Sequence, residues 1–89
     1  MEVENNLKII KNDHNAAWEI YKEPLTKLCH YVAYQKNLDF GDLYGYAYIK
    51  FTEACIRYDP NYNGKFKSFA AYSYGYIQQL IMQVEFNLE

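Results

Sequence analysis

Apolar residues recur at the period of an α-helix through most of this 89-residue chain. The clearest stripe has the spacing i, i+3, i+4, i+7 and i+8, and consists of Leu25, Leu28, Cys29, Val32 and Ala33. A second stripe consists of Leu43, Ala47, Phe51, Ala54 and Tyr58. Each stripe predicts a helix that buries one face, so the sequence predicts an all-α protein. With 51% hydrophobic residues the chain can close one modest core, and we expect a single domain.

Turn and capping residues divide the chain into a small bundle of about four helices. The predicted helices span roughly residues 15–23, 25–35, 41–58 and 66–84. Asp13 is available to cap the first of them and Asp39 to cap the third. Pro24 either kinks one helix or begins the next, because proline lacks the N–H that the preceding turn would bond. Asp59 precedes Pro60 in a run of turn residues, so the third helix must end there.

The pattern of the fourth helix contains a conflict. Residues 72–76 alternate with a period of two, which is typical of a strand, and Gly75 costs about 1 kcal/mol inside a helix. Ala70 and Ala71 precede this stretch, however, and the run QQLIMQ follows it. We therefore predict that the fourth segment is helical.

Charge and composition exclude several classes of protein. The formal net charge of -2 argues against a surface that binds duplex DNA throughout, so any contact with nucleic acid must be local. No apolar run approaches the roughly 20 residues of a membrane span, and residues 1–15 lack the apolar centre of a secretory signal. We expect a cytoplasmic protein without a membrane partner.

The residue types needed for catalysis or metal binding do not occur at recognisable spacings. Cys29 and Cys55 are too few and too far apart for a disulfide framework, and we expect reduced, buried thiols. Cys29 and His30 are neighbours on a predicted helix and point in different directions, and His14 has no evident catalytic partner. We therefore predict no enzyme, no metal site and no cofactor.

Aromatic residues stand beside two lysines between Lys65 and Tyr76, in a segment with no acidic residue between Pro60 and Val84. Aromatic faces stack on exposed bases for about 1–3 kcal/mol each, and lysines attract the phosphate backbone, so this composition suits a single nucleic-acid strand. The alternative is structural, because Phe66, Phe69 and Tyr72 also have the spacing of a buried helical stripe. Both interpretations stay open at this point.

An ordered set of motifs extends across the third and fourth predicted helices. It consists of Asp42-Leu43, Ala47, Ile49, Phe51, Ala54, Tyr58-Asp59-Pro60, Lys65-Phe66 and Phe69-Ala70. The order and spacing of these residues resemble region 2 of bacterial RNA polymerase sigma factors, and the comparison needs no gap. The segment Lys22–Tyr34, with a proline near its start, resembles the preceding helix of that family. The resemblance covers about residues 16–82 and implies a sigma region 2-like helical bundle.

The resemblance implies a transcription initiation module that recognises or melts the promoter minus-ten element. Bases that leave the duplex stack would be captured by aromatic side chains and pockets. The DNA-binding residues that it implies are Lys65, Lys67, Phe69, Tyr72, Tyr76 and Gln79. Ser73 and Gly75 replace a tryptophan and an arginine that are frequent in the family, so strand separation would be organised differently.

The resemblance also implies binding to RNA polymerase core, at the clamp helices of the largest subunit. The polymerase-binding residues that it implies are Asp42, Tyr46, Ile49, Lys50 and Glu53. Gly45 and Tyr46 stand where many members have glutamine and glutamate, which removes a carboxylate from this face. A helix-turn-helix for an upstream element would come from a separate region 4 protein or from further chain.

Two other functions are compatible with the sequence. A non-catalytic protein-interaction regulator could keep the sigma region 2 fold and bind polymerase or a partner without opening promoters. The segment KFKSFAAY also faintly resembles an aromatic RNA-recognition strand, although it lacks the glycines of that motif and belongs to a helical chain.

Overall fold

The fold is an all-α bundle, as predicted. The computed structural model describes residues 2–62 and 68–83, with side chains from Asn6 onward within those ranges. It contains the helices α1 (Glu2–Asn12), α2 (His14–Lys36), α3 (Phe40–Arg57) and α4 (Phe69–Gln83). No strand occurs in the described ranges. No helix among them is long and apolar enough to cross a bilayer.

Helix α1 was not predicted from the sequence. Its residues are mostly polar, and its apolar positions are too few to form a long stripe. Tertiary contacts hold it instead: Ile10 is buried, and the Lys11 ammonium group donates hydrogen bonds to three carbonyls at the end of α3. These carbonyls belong to Cys55, Ile56 and Tyr58. A cation at the carboxyl end of a helix satisfies carbonyls that lack a helical donor and favours the helix dipole.

Helix α2 runs through Pro24 without a break, so the predicted separate helices 15–23 and 25–35 are one helix. Pro24 and Ile20 are both exposed. Because proline has no N–H, the Ile20 carbonyl lacks the hydrogen bond that residue 24 would otherwise donate within the helix. Water can replace the missing bond on that side, which makes an internal proline tolerable. The predicted cap is confirmed, because the Asp13 carboxylate accepts a hydrogen bond from the Ala16 N–H at 3.1 Å. Asn37, in the left-handed conformation, ends the helix.

Helices α3 and α4 begin at side-chain caps. The Asp39 carboxylate accepts a hydrogen bond from the Asp42 N–H at 2.9 Å, and the Ser68 hydroxyl accepts one from the Ala71 N–H at 3.2 Å. Helix α3 ends at Arg57, close to the predicted limit before Pro60. The predicted start of the fourth helix at residue 66 lies outside the described residues. The helical interpretation of residues 72–76 is confirmed.

The core lies where the stripes of α2, α3 and α4 meet. Its largest fully buried side chains include Phe51, Leu25, Leu43, Ile77 and Ile81. The buried Trp18 ring meets Tyr44, Tyr48 and Phe51 edge-on, with centroids 5.1–5.4 Å apart. The stripes predicted from the sequence, with Cys29 and Cys55, are buried as expected. Both cysteines are free thiols, and burial raises the pKa of each to about 11.

Two glycines interrupt the surfaces of α3 and α4 without an evident need of the fold. Gly45 and Gly75 lie within helices and neither has a positive φ. A Cβ atom added at either position would meet no atom within 4 Å. Each glycine therefore costs its helix about 1 kcal/mol relative to alanine and gains no packing in return.

Candidate nucleic-acid interface

A hydrogen bond connects the two predicted binding sets across helices α3 and α4. The Tyr76 hydroxyl donates to Oε1 of Glu53 at 3.1 Å, and the Lys50 ammonium group lies 3.2 Å from Oε2 of the same carboxylate. Lys50 also lies 5.4 Å from the centre of the Tyr46 ring, and the Arg57 guanidinium 5.9 Å from that of Tyr76. We call these five residues the α3–α4 cluster. Predicted DNA-binding and polymerase-binding residues thus share one continuous surface.

Hydrogen bonds within the α3–α4 cluster shift the pKa values of its members. The hydrogen bond from Lys50 lowers the pKa of Glu53, and the Tyr76 hydroxyl bond acts in the same direction. The bond to Glu53 raises the pKa of Lys50. Partial burial is the first cause that raises the pKa of Tyr76, followed by its bond to Glu53. At neutral pH the cluster therefore holds an ion pair and a neutral phenol, and the Tyr76 ring is fixed in place.

Tyr72 extends this surface along α4. Its ring is half-buried and stacks on Tyr76 with centroids 6.1 Å apart and planes 14° from parallel. The ring of Tyr58, the residue that caps the end of α3, supports it at 5.3 Å and a tilt of 52°. A partly exposed ring held by two others is a preorganised surface on which a planar group can stack.

Phe69 does not offer such a face. Its side chain is 5% exposed, and its ring makes edge contacts with Tyr21, Phe51 and Tyr58 at centroid distances of 5.0, 5.7 and 5.2 Å. The expectation of an accessible ring at Phe69 is therefore wrong, and the alternative of a buried stripe applies to it. The packing of α4 on α2 and α3 requires an apolar residue at its first position, and Phe69 supplies it.

Of the remaining predicted DNA-binding residues, Gln79 is exposed on α4. Lys65 and Lys67 lie outside the described residues, as does Phe66. Ser73 is buried, and its hydroxyl donates to the Ala70 carbonyl at 3.3 Å, so this position presents no polar or aromatic group to solvent.

A cavity opens beside the buried side of Phe69, between α1, α2 and the start of α4. Its volume is about 390 Å³, and its walls include Leu7, Ile10, Tyr21, Tyr58 and Phe69. Apolar and aromatic walls with a few hydroxyl and amide groups are typical of sites that take small-molecule ligands. Sequence reasoning missed the contribution of α1 to this cavity, because α1 itself was not predicted.

The outer face of α3 carries a seam that includes two exposed isoleucines. Asp42 and Gly45 are exposed, and the side chains of Ile49 and Ile56 are 57% and 67% exposed. Gly45, Ile49, Thr52 and Ile56 follow one another at spacings of four, three and four residues, which is the pattern of a seam between two helices. Ile56 and Arg57 were not among the predicted site residues. The spacing of seven between Ile49 and Ile56 was the available signal for the seam, whereas the approach of Arg57 to Tyr76 depends on the fold.

The described residues contain no group of three histidine, cysteine, aspartate or glutamate side chains that could hold a metal ion. No protein-family model, curated protein or solved structure matches the chain.

Proposed function

We propose that this protein is a transcription initiation module that binds RNA polymerase core and recognises or melts the promoter minus-ten element. The contact between Tyr76 and Glu53 carries the proposal, because it joins the predicted DNA side of α4 to the predicted docking side of α3. The ordered motifs from Asp42 to Ala70 support the same conclusion. The module has no catalytic chemistry of its own and acts in the cytoplasm.

Unpaired bases of the minus-ten element bind along the tyrosines of α4. Tyr72 offers a supported, partly exposed ring, and Gln79 an exposed amide further along the same helix. Arg57 beside Tyr76 adds a cation that can face phosphate. The cavity bordered by Phe69 takes a base that has left the stack, at a cost of a few kcal/mol for unstacking. Phe69 then acts as a wall of this cavity.

The clamp helices of the polymerase largest subunit bind the outer face of α3. Asp42 and Ile49 belong to this face directly, together with Ile56. Tyr46, Lys50 and Glu53 flank it on the side of α4, where they are bonded within the α3–α4 cluster. The cluster therefore links the position of α4 to the surface that docks. A separate region 4 protein would recognise the upstream promoter element.

The test is capture of a fluorescent single strand that carries a minus-ten sequence. We expect bacterial core polymerase to retain this strand only when the protein is added. We also expect the protein to open a promoter whose minus-ten bases carry a fluorescent analogue. Absence of polymerase binding would contradict the proposal. A scrambled strand of equal length and composition is the control for non-specific attraction.

A second candidate is a regulator that binds polymerase without opening promoters. The buried hydroxyl of Ser73 favours it, because a tryptophan is frequent at this position in the family that the chain resembles. The enclosed ring of Phe69 also favours the regulator, because a buried ring cannot stack on a base. Binding to core polymerase without any increase in the fluorescence of the melted bases would decide for the regulator.

A further inference from the structure

We propose that the cavity between α1, α2 and the start of α4 is a binding site for a small, neutral aromatic molecule that accepts a hydrogen bond at one end. The inference concerns the free protein and does not rest on the proposed function, whose unstacked base would compete for the same space. The size, the charge and the hydrogen-bonding groups of the walls define the class of ligand.

The cavity has room for such a molecule. Its volume is about 390 Å³. An apolar cavity of about 150 Å³ is enough to hold benzene, so this one takes a ring together with its substituents. Pockets that bind small molecules start at about 300 Å³.

The walls favour an apolar, uncharged ligand. Leu7 and Ile10 form an aliphatic side of the cavity, and Tyr21, Tyr58 and Phe69 form an aromatic side. The rings of Tyr21 and Phe69 meet edge-on at 5.0 Å, which fixes the aromatic side. None of the described residues that border the cavity carries a charge. An ion would lose its hydration there without a partner of opposite charge, so a neutral ligand is preferred.

Two hydroxyl groups give the cavity a polar end. The Tyr21 hydroxyl accepts a hydrogen bond from the Asn6 side-chain amide at 3.2 Å, and the Ser68 hydroxyl accepts one from the Ala71 N–H at 3.2 Å. Neither hydroxyl donates its own hydrogen to another residue in the part of the chain that the structure describes. Burial raises the pKa of Tyr21, so its hydroxyl stays protonated at neutral pH. Both groups can therefore donate to an acceptor atom of a ligand.

Helix α1 holds the cavity in shape before any ligand binds. Asn6, Leu7 and Ile10 are its contribution to the walls. Lys11, the next residue, donates hydrogen bonds to carbonyls at the end of α3, and Ile10 is buried. A ligand does not have to order these walls, which lowers the cost of binding.

The experiment titrates the protein with para-cresol and follows its backbone amide signals by NMR. Toluene has the same ring and methyl group without the hydroxyl oxygen, and benzoate carries a charge. We expect para-cresol to shift the signals of the cavity residues and to bind about fivefold more tightly than toluene, since it gains a hydrogen bond. Benzoate should bind at least about tenfold more weakly than para-cresol.

Four variants test the walls. Tyr21→Phe keeps the ring against Phe69 and should weaken the binding of para-cresol about fivefold, with no effect on toluene. Tyr44→Phe is the matched control, because it removes a hydroxyl that accepts a bond from Thr26 at 3.3 Å and lies outside the cavity walls. Leu7→Trp should fill the space and abolish binding. Ala70→Phe fills it from an exposed position of α4 and serves if Leu7→Trp does not fold.

Each outcome decides for or against the site. Shifts at the cavity, with affinity falling from para-cresol to toluene to benzoate, support the inference. It would be overturned by equal affinity for para-cresol and benzoate, by a lack of shifts at the cavity, or by undiminished binding in a folded, filled variant. Equal losses in Tyr21→Phe and Tyr44→Phe would also overturn it. Failure to bind core polymerase would contradict the proposed function alone, because these titrations contain neither polymerase nor DNA.

Discussion

The hydroxyl of Tyr76 in α4 donates a hydrogen bond to the carboxylate of Glu53 in α3, at 3.1 Å, across 23 residues of sequence. Lys50 holds the other oxygen of that carboxylate at 3.2 Å. The relationship fixes the aromatic surface of α4 relative to the outer face of α3. Both surfaces are needed if one small domain is to hold polymerase and an unpaired strand together.

Acid should weaken this connection. The Glu53 pKa is lowered in the folded state below its ordinary value of 4.5, chiefly by Lys50. Its contribution to stability is therefore present above the unfolded pKa and is lost as the pH falls through the folded pKa. We expect Glu53→Gln to reduce the dependence of the melting temperature on pH below about 5. An unchanged acid slope in this variant would contradict the assignment, and Glu23→Gln on the exposed surface of α2 is the control.

Truncation of Phe69 should lower the free energy of unfolding. Phe69→Ala removes a ring enclosed by three others, and we expect a loss of about 3–5 kcal/mol in the free energy of unfolding. Chemical denaturation followed by circular dichroism measures it. A loss below about 1 kcal/mol would mean that the ring is not packed as described.

The bonds from Lys11 to the end of α3 should stabilise the protein. Lys11→Met keeps the apolar stem and removes the ammonium group, which donates to carbonyls of Cys55, Ile56 and Tyr58. We expect a loss of about 1 kcal/mol in the free energy of unfolding, since the helix end loses its donors. Lys8→Met, at an exposed position of the same helix, should change little. Equal effects of the two substitutions would remove the capping role of Lys11.

A charge on the outer face of α3 should weaken docking. Ile49→Asp replaces a side chain that is 57% exposed, so the free protein should keep its stability while core polymerase binding falls more than tenfold, by at least about 1.4 kcal/mol. Ile20→Asp makes the same change at an isoleucine of α2 that is 47% exposed. We expect that control to bind normally in the same fluorescence assay. Equal losses in both variants would contradict a docking face on α3.

The strong stripes of α2, α3 and α4 could be predicted from the sequence because each depends on residues three or four apart. Helix α1 could not, since Lys11 bonds to a carbonyl 44 residues further along the chain and the burial of Ile10 depends on the packed fold. Pro24 was ambiguous because only its exposure decides whether a missing hydrogen bond can be replaced by water.

The candidate site shows the same limit. Phe69 and Tyr72 both fit one helical stripe, and periodicity gives the buried face without telling which ring lies at its edge. Tyr21 of α2, Phe51 of α3 and Tyr58 at the end of α3 enclose Phe69, whereas Tyr72 stays partly exposed. The approach of Tyr76 to Glu53 depends on how α3 and α4 pack, so the single surface that they form appears only in the folded chain.

The proposed role of the α4 tyrosines is tested most directly by the affinity of the protein and core polymerase together for a single-stranded minus-ten oligonucleotide. We expect Tyr72→Ala to weaken that affinity about tenfold, because one stacked base is worth about 1–3 kcal/mol. Tyr34→Ala, at a tyrosine of α2 that is 86% exposed, should leave it unchanged. Undiminished affinity of a folded Tyr72→Ala variant would contradict the claim that the tyrosines of α4 hold unpaired promoter bases.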